Sequence, residues 1–539
     1  MMLDVEYPVT PQSKRRRWGI LIALLLIGGG SLLALARGWV VLSYKPSREV
    51  LYAWAGLELM LLVWIILISP FTPAKRVKTV CLCCLCKSLL WMSVYVEGYY
   101  GDGRPIFAWR FSKFAAADMP PVSPPVRNAI GPQADDSDNS RIAFPGFRGS
   151  DRSGVIRGIT LETDWTSHPP ELLWRRSVGA GWSSFAVAGM NAVTQEQQGE
   201  NEIVVCYDLS TGDIRWRHRN AANFREVTGG DGPRATPTIH NNRVFSLGAT
   251  GILNCLDLDD GTRLWSRNIL DDAGVDNRNF GMAGSPLVVG EQVIVSPGGQ
   301  NSTLVSYDAA SGGKLWQGGN ADASYSSPHW APFVAGEQIL IFHASGLSGH
   351  DPHTGEMLWN HEWISQPEER NNVCQPIPIP GSANQPDRVF LSSGYGQGCA
   401  LLDITKTDNR WHVAEVWHSR NLKAKFSSAV LHDGHVYGMD EAILTCVDLQ
   451  TGERKWKRGR YGYGQLICVG DVLLIQAEQG DVVLVAADPQ EFRELGRLPA
   501  LSDRTWNHPA LAGPYLVVRN DRDAVCFRLP VVESRRSTP

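Results

Sequence analysis

Any chemistry in this chain has to come from a small set of aromatic and cationic residues. Trp182, Arg234, Tyr325, Lys425, Trp506 and His508 lie in short segments rich in small, hydroxylated or proline residues. These are Trp182-Ser-Ser184, Arg234-Ala-Thr-Pro237, Tyr325-Ser-Ser-Pro328, Lys425-Phe-Ser-Ser428 and Trp506-Asn-His-Pro509. Aromatic faces beside Arg or Lys donors suit a planar or anionic ligand. No Ser-His-Asp set, His-Glu-x-x-His motif or phosphate-cradling glycine loop stands in its expected context, so no catalytic residue and no metal ligand is expected. Cys83-x-x-Cys86 is followed by Lys87 rather than His, which excludes haem attachment, and no second Cys pair or His stands nearby to complete a zinc site. Cys81, Cys83, Cys84 and Cys86 read instead as small polarizable residues of a helix. The other cysteines are 206, 255, 374, 399, 446, 468 and 526. This odd set argues against a disulfide framework, but Cys374 and Cys399 could pair in an exported domain.

A repeat must position those residues. Tyr207-Asp-Leu-Ser-Thr-Gly-Asp-Ile-Arg-Trp216 recurs as Leu256-Asp-Leu-Asp-Asp-Gly-Thr-Arg-Leu-Trp265 and as Tyr307-Asp-Ala-Ala-Ser-Gly-Gly-Lys-Leu-Trp316. It returns as His350-Asp-Pro-His-Thr-Gly-Glu-Met-Leu-Trp359 and Val447-Asp-Leu-Gln-Thr-Gly-Glu-Arg-Lys-Trp456. Each copy reads as a strand, an Asp-initiated tight turn with Gly for positive φ, and a strand ending in Trp. A degenerate copy runs from Leu402-Asp403 to Trp417 with an inserted turn, and another, from Ala487-Asp488-Pro489 to Leu498, has lost both Gly and Trp. Trp174 precedes any complete copy. Trp174, Trp216, Trp265, Trp316, Trp359, Trp417 and Trp456 are therefore docking residues spaced by roughly 40–58 positions, a period that suits four-stranded propeller blades.

The expected fold is all-β, an eight-bladed β-propeller over residues 141–530. Its blades fall at about 178–219, 234–269, 283–319, 324–363, 372–420, 425–459, 464–499 and 505–529. The last is short of strands, so Leu172-Leu-Trp-Arg-Arg176 is expected to supply its outermost strand and close the ring. The candidate ligand residues then stand where the innermost strands begin, around the central funnel. The Ser, Thr and Pro beside them read mainly as groups that satisfy inner-strand edges.

The Asp-x-x-Thr-Gly-x-x-x-Trp pattern resembles the tryptophan-docking motif of the pyrroloquinoline quinone (PQQ)-type propeller repeats. That superfamily includes quinoprotein alcohol and sugar dehydrogenases and the cofactor-free propeller of the outer-membrane barrel-assembly (BAM) machinery. Phe144-Pro-Gly-Phe-Arg-Gly149 resembles the lead-in segment of many membrane-linked members, and is expected to pack across one propeller end with Arg148 bonded to backbone carbonyls. The resemblance implies that a dehydrogenase needs a vicinal Cys–Cys disulfide over the quinone, a Trp beneath it, and Ca²⁺ held by Glu, Asn and Asp. No two propeller cysteines are adjacent, and no convincing match for the Ca²⁺ carboxylates is present. A scaffold that binds a protein partner or an envelope polymer, with no cofactor, is therefore expected. The alternative is a membrane-bound PQQ- and Ca²⁺-dependent dehydrogenase of an alcohol or sugar.

Residues 1–110 carry 13 Lys/Arg against 6 Asp/Glu; the remainder carries 38 against 49, a net of −11. An acidic propeller argues against nucleic acid as a partner. Apolar runs at 18–36, 53–69 and 79–96 predict a membrane anchor of two to three spanning helices within 1–110. The third has a membrane-surface helix as its alternative, because Lys87 is costly in lipid. Basic clusters at 14–17 and 75–78 place the propeller on the non-cytoplasmic side of the cytoplasmic membrane. Residues 111–140, rich in Pro, Asp and Ser, form a solvated tether, and 531–539 form a tail.

Overall fold

The computed structural model describes residues 60, 63–69, 71–109, 142–365 and 370–532. The chain divides into two compact units, residues 1–118 and 119–539. The described part of the first begins with one turn of π-helix, Trp64–Ile68, and the helix Pro73–Ser93. An antiparallel hairpin follows, in which Val94–Tyr99 pairs with Pro105–Trp109. The expected span at 18–36 and most of that at 53–69 lie outside the described residues. The third differs from expectation: helix gives way to strand at Val94, inside the predicted span. Among the described residues no helix is long and apolar enough to cross a membrane. Lys75, Arg76, Lys78 and Lys87 supply the physical reason, since each lowers the apolar content of Pro73–Ser93.

The second unit is the eight-bladed propeller. Its eight sheets have the strand order of a simple meander from an inner strand of three to five residues to a longer outer strand. The eighth blade is completed from the front of the chain, with Glu171–Ser177 pairing antiparallel to Asp523–Arg528. Blades one and seven each carry a fifth strand on the axial side. Ala143–Phe144 pairs with Val187 and Ala188, and Val155–Ile156 runs parallel to Cys468 and Val469. The lead-in segment therefore enters the central channel and fills it from the hairpin-turn end.

The docking tryptophans hold neighbouring blades together by one recurring contact. The indole N–H of Trp174 donates to Leu209 O at 2.8 Å, Trp216 to Leu258 O at 2.7 Å, and Trp265 to Ala309 O at 3.0 Å. Trp316 reaches Pro352 O, Trp417 reaches Leu449 O and Trp456 reaches Asp488 O, each a carbonyl of the next blade's turn. The ring lies on the turn glycine. A Cβ on Gly212, Gly261, Gly312, Gly355 or Gly452 would fall within 2.7 Å of the preceding blade's Trp. Each of these glycines also has φ near +70°, so the motif glycine meets two demands together. Burying ~200 Å² of indole at ~25 cal/mol/Å² gives an upper bound of ~5 kcal/mol per docking contact.

Two departures follow from the degenerate repeats. Trp359 faces blade five, which lacks the motif glycine, and it donates to Gln338 Oε1 of its own blade at 2.7 Å. In blade seven Phe492 stands at the glycine position and Gly496 at the Trp position. Phe492 meets Trp456 edge-on at 5.7 Å. Trp165, a residue outside the repeats, packs over Gly496 and shares a buried cluster with Phe527 and Leu529 of blade eight. The motif aspartates are turn-formers: Asp208 Oδ1 accepts from Ser210 N and Thr211 N, and Asp448 Oδ1 from Gln450 N and Thr451 N. Backbone and hydroxyl donors of Ser311 hold Asp308 below the usual carboxylate range.

Candidate functional site at the mouth of the channel

The hydroxylated residues at the inner-strand heads form a belt of bonds from blade to blade. Ser184 N donates to Thr236 Oγ1, Thr236 N to Ser285 Oγ, and Ser285 N to Ser327 Oγ, at 2.9–3.2 Å. Ser327 N then donates to Gln375 Oε1 and Gln375 N to Ser428 Oγ. At a crowded axis each inner strand has a backbone donor with no ladder partner, and a short polar side chain on the next blade answers it. Their recurrence in the sequence is structural.

Beneath this belt lies the plug. Arg148 is fully buried and donates to Ala429 O at 2.6 Å and Ser153 O at 2.7 Å, the carbonyl bonding expected of it. Arg152 reaches further, donating to Pro328 O at 2.8 Å, Ser285 O at 3.1 Å and Pro286 O. Desolvation pulls the two guanidiniums down to about 10 and about 9. Phe147 meets His508 edge-on at 4.9 Å. Burial, and then the nearby Arg148, push the His508 imidazole well below its ordinary value. His508 therefore belongs to the plug rather than to a ligand cup.

Above the belt the structure brings Trp182, Trp506 and Lys425 into one aromatic–cationic cluster. Trp182 and Trp506 pack at 4.9 Å, Trp506 meets Phe426 at 5.0 Å, and Phe426 stacks on Tyr463 at 5.0 Å. The Arg504 guanidinium lies 4.9 Å from Trp182 and 4.7 Å from Trp506. Lys425 Nζ lies 5.2 Å from Tyr463 and 5.4 Å from Tyr395. Trp506 Nε1 donates to the buried carboxylate of Glu478 at 2.9 Å, and Trp182 Nε1 to Gly229 O at 2.5 Å. Arg234 and Tyr325 lie on the side of blades two to four, and Arg234 bonds to the same loop that takes Trp182 through Gly229 O. Arg234 donates to Gly230 O at 2.6 Å and Gly232 O and lies 4.6 Å from Phe224; desolvation, partly opposed by Glu226 and Glu202, takes it to about 10. Tyr325 packs against Phe280 at 5.7 Å.

Sequence reasoning missed Tyr463, Arg504 and Trp165, placed Phe426 only at an inner-strand start, and gave Arg152 no bonding partner of its own. Phe426 and Arg504 stand beside or near chosen residues, Lys425 and Trp506, in stretches outside any strand. Arg152 follows Arg148 by four positions in the lead-in motif, the one signal that could have found it.

A PQQ-type cofactor needs an open aromatic floor with cations left to meet its carboxylates. Here the indoles engage each other and Arg504, while Arg234 donates to backbone carbonyls. Among the described residues, the one cluster with metal-ligand spacing is His432, Asp433 and Asp471, at the opposite end of the blades. There His432 Nε2 is 3.0 Å from Asp471. Cys374 and Cys399, which the sequence allows to pair, share one apolar cluster as free thiols. Cys374 Sγ donates to Gln375 O, and desolvation raises both thiols, Cys399 to about 12.

Eight meander blades joined by Trp-on-Gly docking, with a belted and plugged axis, define a PQQ-type repeat propeller. The chain matches the family described as outer membrane protein assembly factor BamB over residues 168–278 and 275–458 and belongs to it. A BamB of Shewanella oneidensis is 28% identical over 63% of this chain and 84% of its own length. One of Moranella endobia is 22% identical over 52% and 71%. Among solved structures, the quinohemoprotein alcohol dehydrogenase of Comamonas testosteroni superposes with TM-score 0.56 at 12% identity, covering 75% of this chain and 82% of that one. A europium-containing methanol dehydrogenase gives 0.55 at 14%, covering 71% and 91%. At such identities the likeness is one of fold.

Proposed function

We propose that this protein is a non-catalytic, protein-binding scaffold, held at a membrane by its N-terminal segment with the propeller on the non-cytoplasmic side. The observation that carries the reading is the self-engaged mouth, where aromatic rings and cations satisfy one another above a plugged channel. Such a site stiffens one end of the propeller and leaves loops and blade edges as the surfaces free to bind. The relatives' designation as assembly factors supports a protein partner. The apolar runs and basic clusters of residues 1–110 support the membrane attachment.

Cross-linking in native membranes, followed by purification through the full chain, should capture a protein bound in near-stoichiometric amount. The enzyme question has its own trial, in which PQQ and Ca²⁺ are added to the full chain and dye reduction is followed over alcohols and aldoses. No turnover is expected; turnover abolished by Arg234→Ala would overturn the scaffold reading. A reporter fused at residue 120 should be active only outside the cytoplasm.

A further inference from the structure

At the seam between blades six and seven the docking tryptophan meets a phenylalanine in place of a glycine, and a cleft lies beside it. Phe492 occupies the glycine position and meets the Trp456 ring edge-on, and Trp456 is partly exposed. Beside it is a cleft of about 350 Å³ lined by Lys455, Trp456, Lys457, Arg458, Glu491 and Phe492, among others. That volume lies at the lower end for ligand sites, about 300 Å³, and suits one or two side chains.

The strand that forms one wall is Arg454–Arg460, Arg-Lys-Trp-Lys-Arg-Gly-Arg, with five cations in seven residues on a propeller unit that is otherwise acidic. Some of this charge is used internally. Buried Asp440 takes Lys457 at 2.5 Å and Arg454 at 3.5 Å, and Asp448 takes Lys455 at 3.2 Å. Arg458 and Arg460 are exposed, and among the described residues neither has an ion pair. The strand is outermost in its blade and pairs on one side only, with Ile443–Asp448. Its other edge leaves backbone donors and acceptors open. Cations on an edge repel the same strand of a second copy, and by the same field they select a segment of opposite charge.

We propose that this cleft docks an extended segment of a partner protein that places a bulky apolar side chain against Trp456 and Phe492 and carboxylates on Arg458 and Arg460. The proposal rests on the scaffold reading and names the kind of partner sequence one of its surfaces would take.

The probe is a labelled eight-residue peptide alternating Glu and Phe, titrated against the full chain by fluorescence anisotropy. Binding should weaken with salt, and at least ten-fold when Gln replaces Glu or Ala replaces Phe. The double change Arg458→Glu with Arg460→Glu should cost at least ten-fold, while Arg410→Glu, an exposed residue at the start of blade five's outer strand, should leave affinity unchanged. Equal binding of the Gln peptide, an equal loss with Arg410→Glu, or binding only to vesicles of anionic phosphatidylglycerol would each overturn the proposal. If the chain captures a partner in membranes yet ignores the Glu–Phe peptide, the cleft proposal fails and the scaffold reading stands.

Discussion

Gly261 and Gly199 have similar backbones and opposite surroundings. Both have positive φ, but a Cβ on Gly261 would sit 2.4 Å from Trp216, whereas one on Gly199 would meet nothing within 4 Å. Gly199→Ala should cost about 1 kcal/mol of backbone strain, and Gly261→Ala that plus a disrupted docking contact, about 3 kcal/mol or more in all. Denaturant midpoints compare the two, and equal losses would mean that close approach to Trp216 is not what selects glycine. Glu202 supplies a second test. It is buried, accepts from Ala249 N at 2.9 Å, and desolvation raises it to about 7. The folded state thus holds its proton more tightly than the unfolded chain. Its contribution is fully present below pH ~4.5 and is lost as pH rises toward 7, by at most about 3 kcal/mol. Glu202→Gln should remove that slope, read as the change in stability difference from the parent between pH 4.5 and 7.5; an unaltered slope would assign the dependence elsewhere. The docking Trp and Gly were legible in the sequence because they repeat. Phe426, Tyr463 and Arg504 were not, since each occurs once and acquires meaning only when the ring closes.

At the scale of elements, the lead-in segment does more than cross one end of the propeller. It adds a strand to blade one and another to blade seven and sends Arg148 and Arg152 to carbonyls of blades three, four and six. Arg152→Ala would leave several buried carbonyls unanswered and should cost about 3 kcal/mol or more. Hydrogen exchange at the Cys468 amide, which donates to Gly154 O at 2.8 Å, should quicken if the segment loosens with it. Lost stability without faster exchange there would place the damage in the inner strands. The blade count followed from the period, and the borrowed strand, expected at Leu172–Arg176 and found at Glu171–Ser177, from the shortage of strands in the last blade. The expected third span did not survive, because mean apolarity over 79–96 could not register the helix-to-strand change at Val94. Cys374 and Cys399 share one blade and one core cluster, and such proximity does not by itself dictate a bond.

At the scale of the whole molecule, stability depends on the ring being shut. Arg519 of blade eight donates to Gln195 O and Gly179 O of the first blade, each at 2.8 Å, so the seam is bonded on the axial side as well as through Trp174. Deleting residues 171–177 should strip the outer strand from blade eight and replace one cooperative transition by several. Agreement of calorimetric and van't Hoff enthalpies in that deletion would show that the closing strand is dispensable. The same closure governs how the chain comes into being. Ser177 must wait for Asp523, and at ~5–20 residues per second the ribosome needs roughly 20–70 s to deliver it. For that interval the first blades exist as an open arc with bare strand edges, the state in which β-proteins aggregate. Covering the open edges of that arc during synthesis is therefore expected to raise the yield of folded protein, read as the soluble fraction with and without an added chaperone.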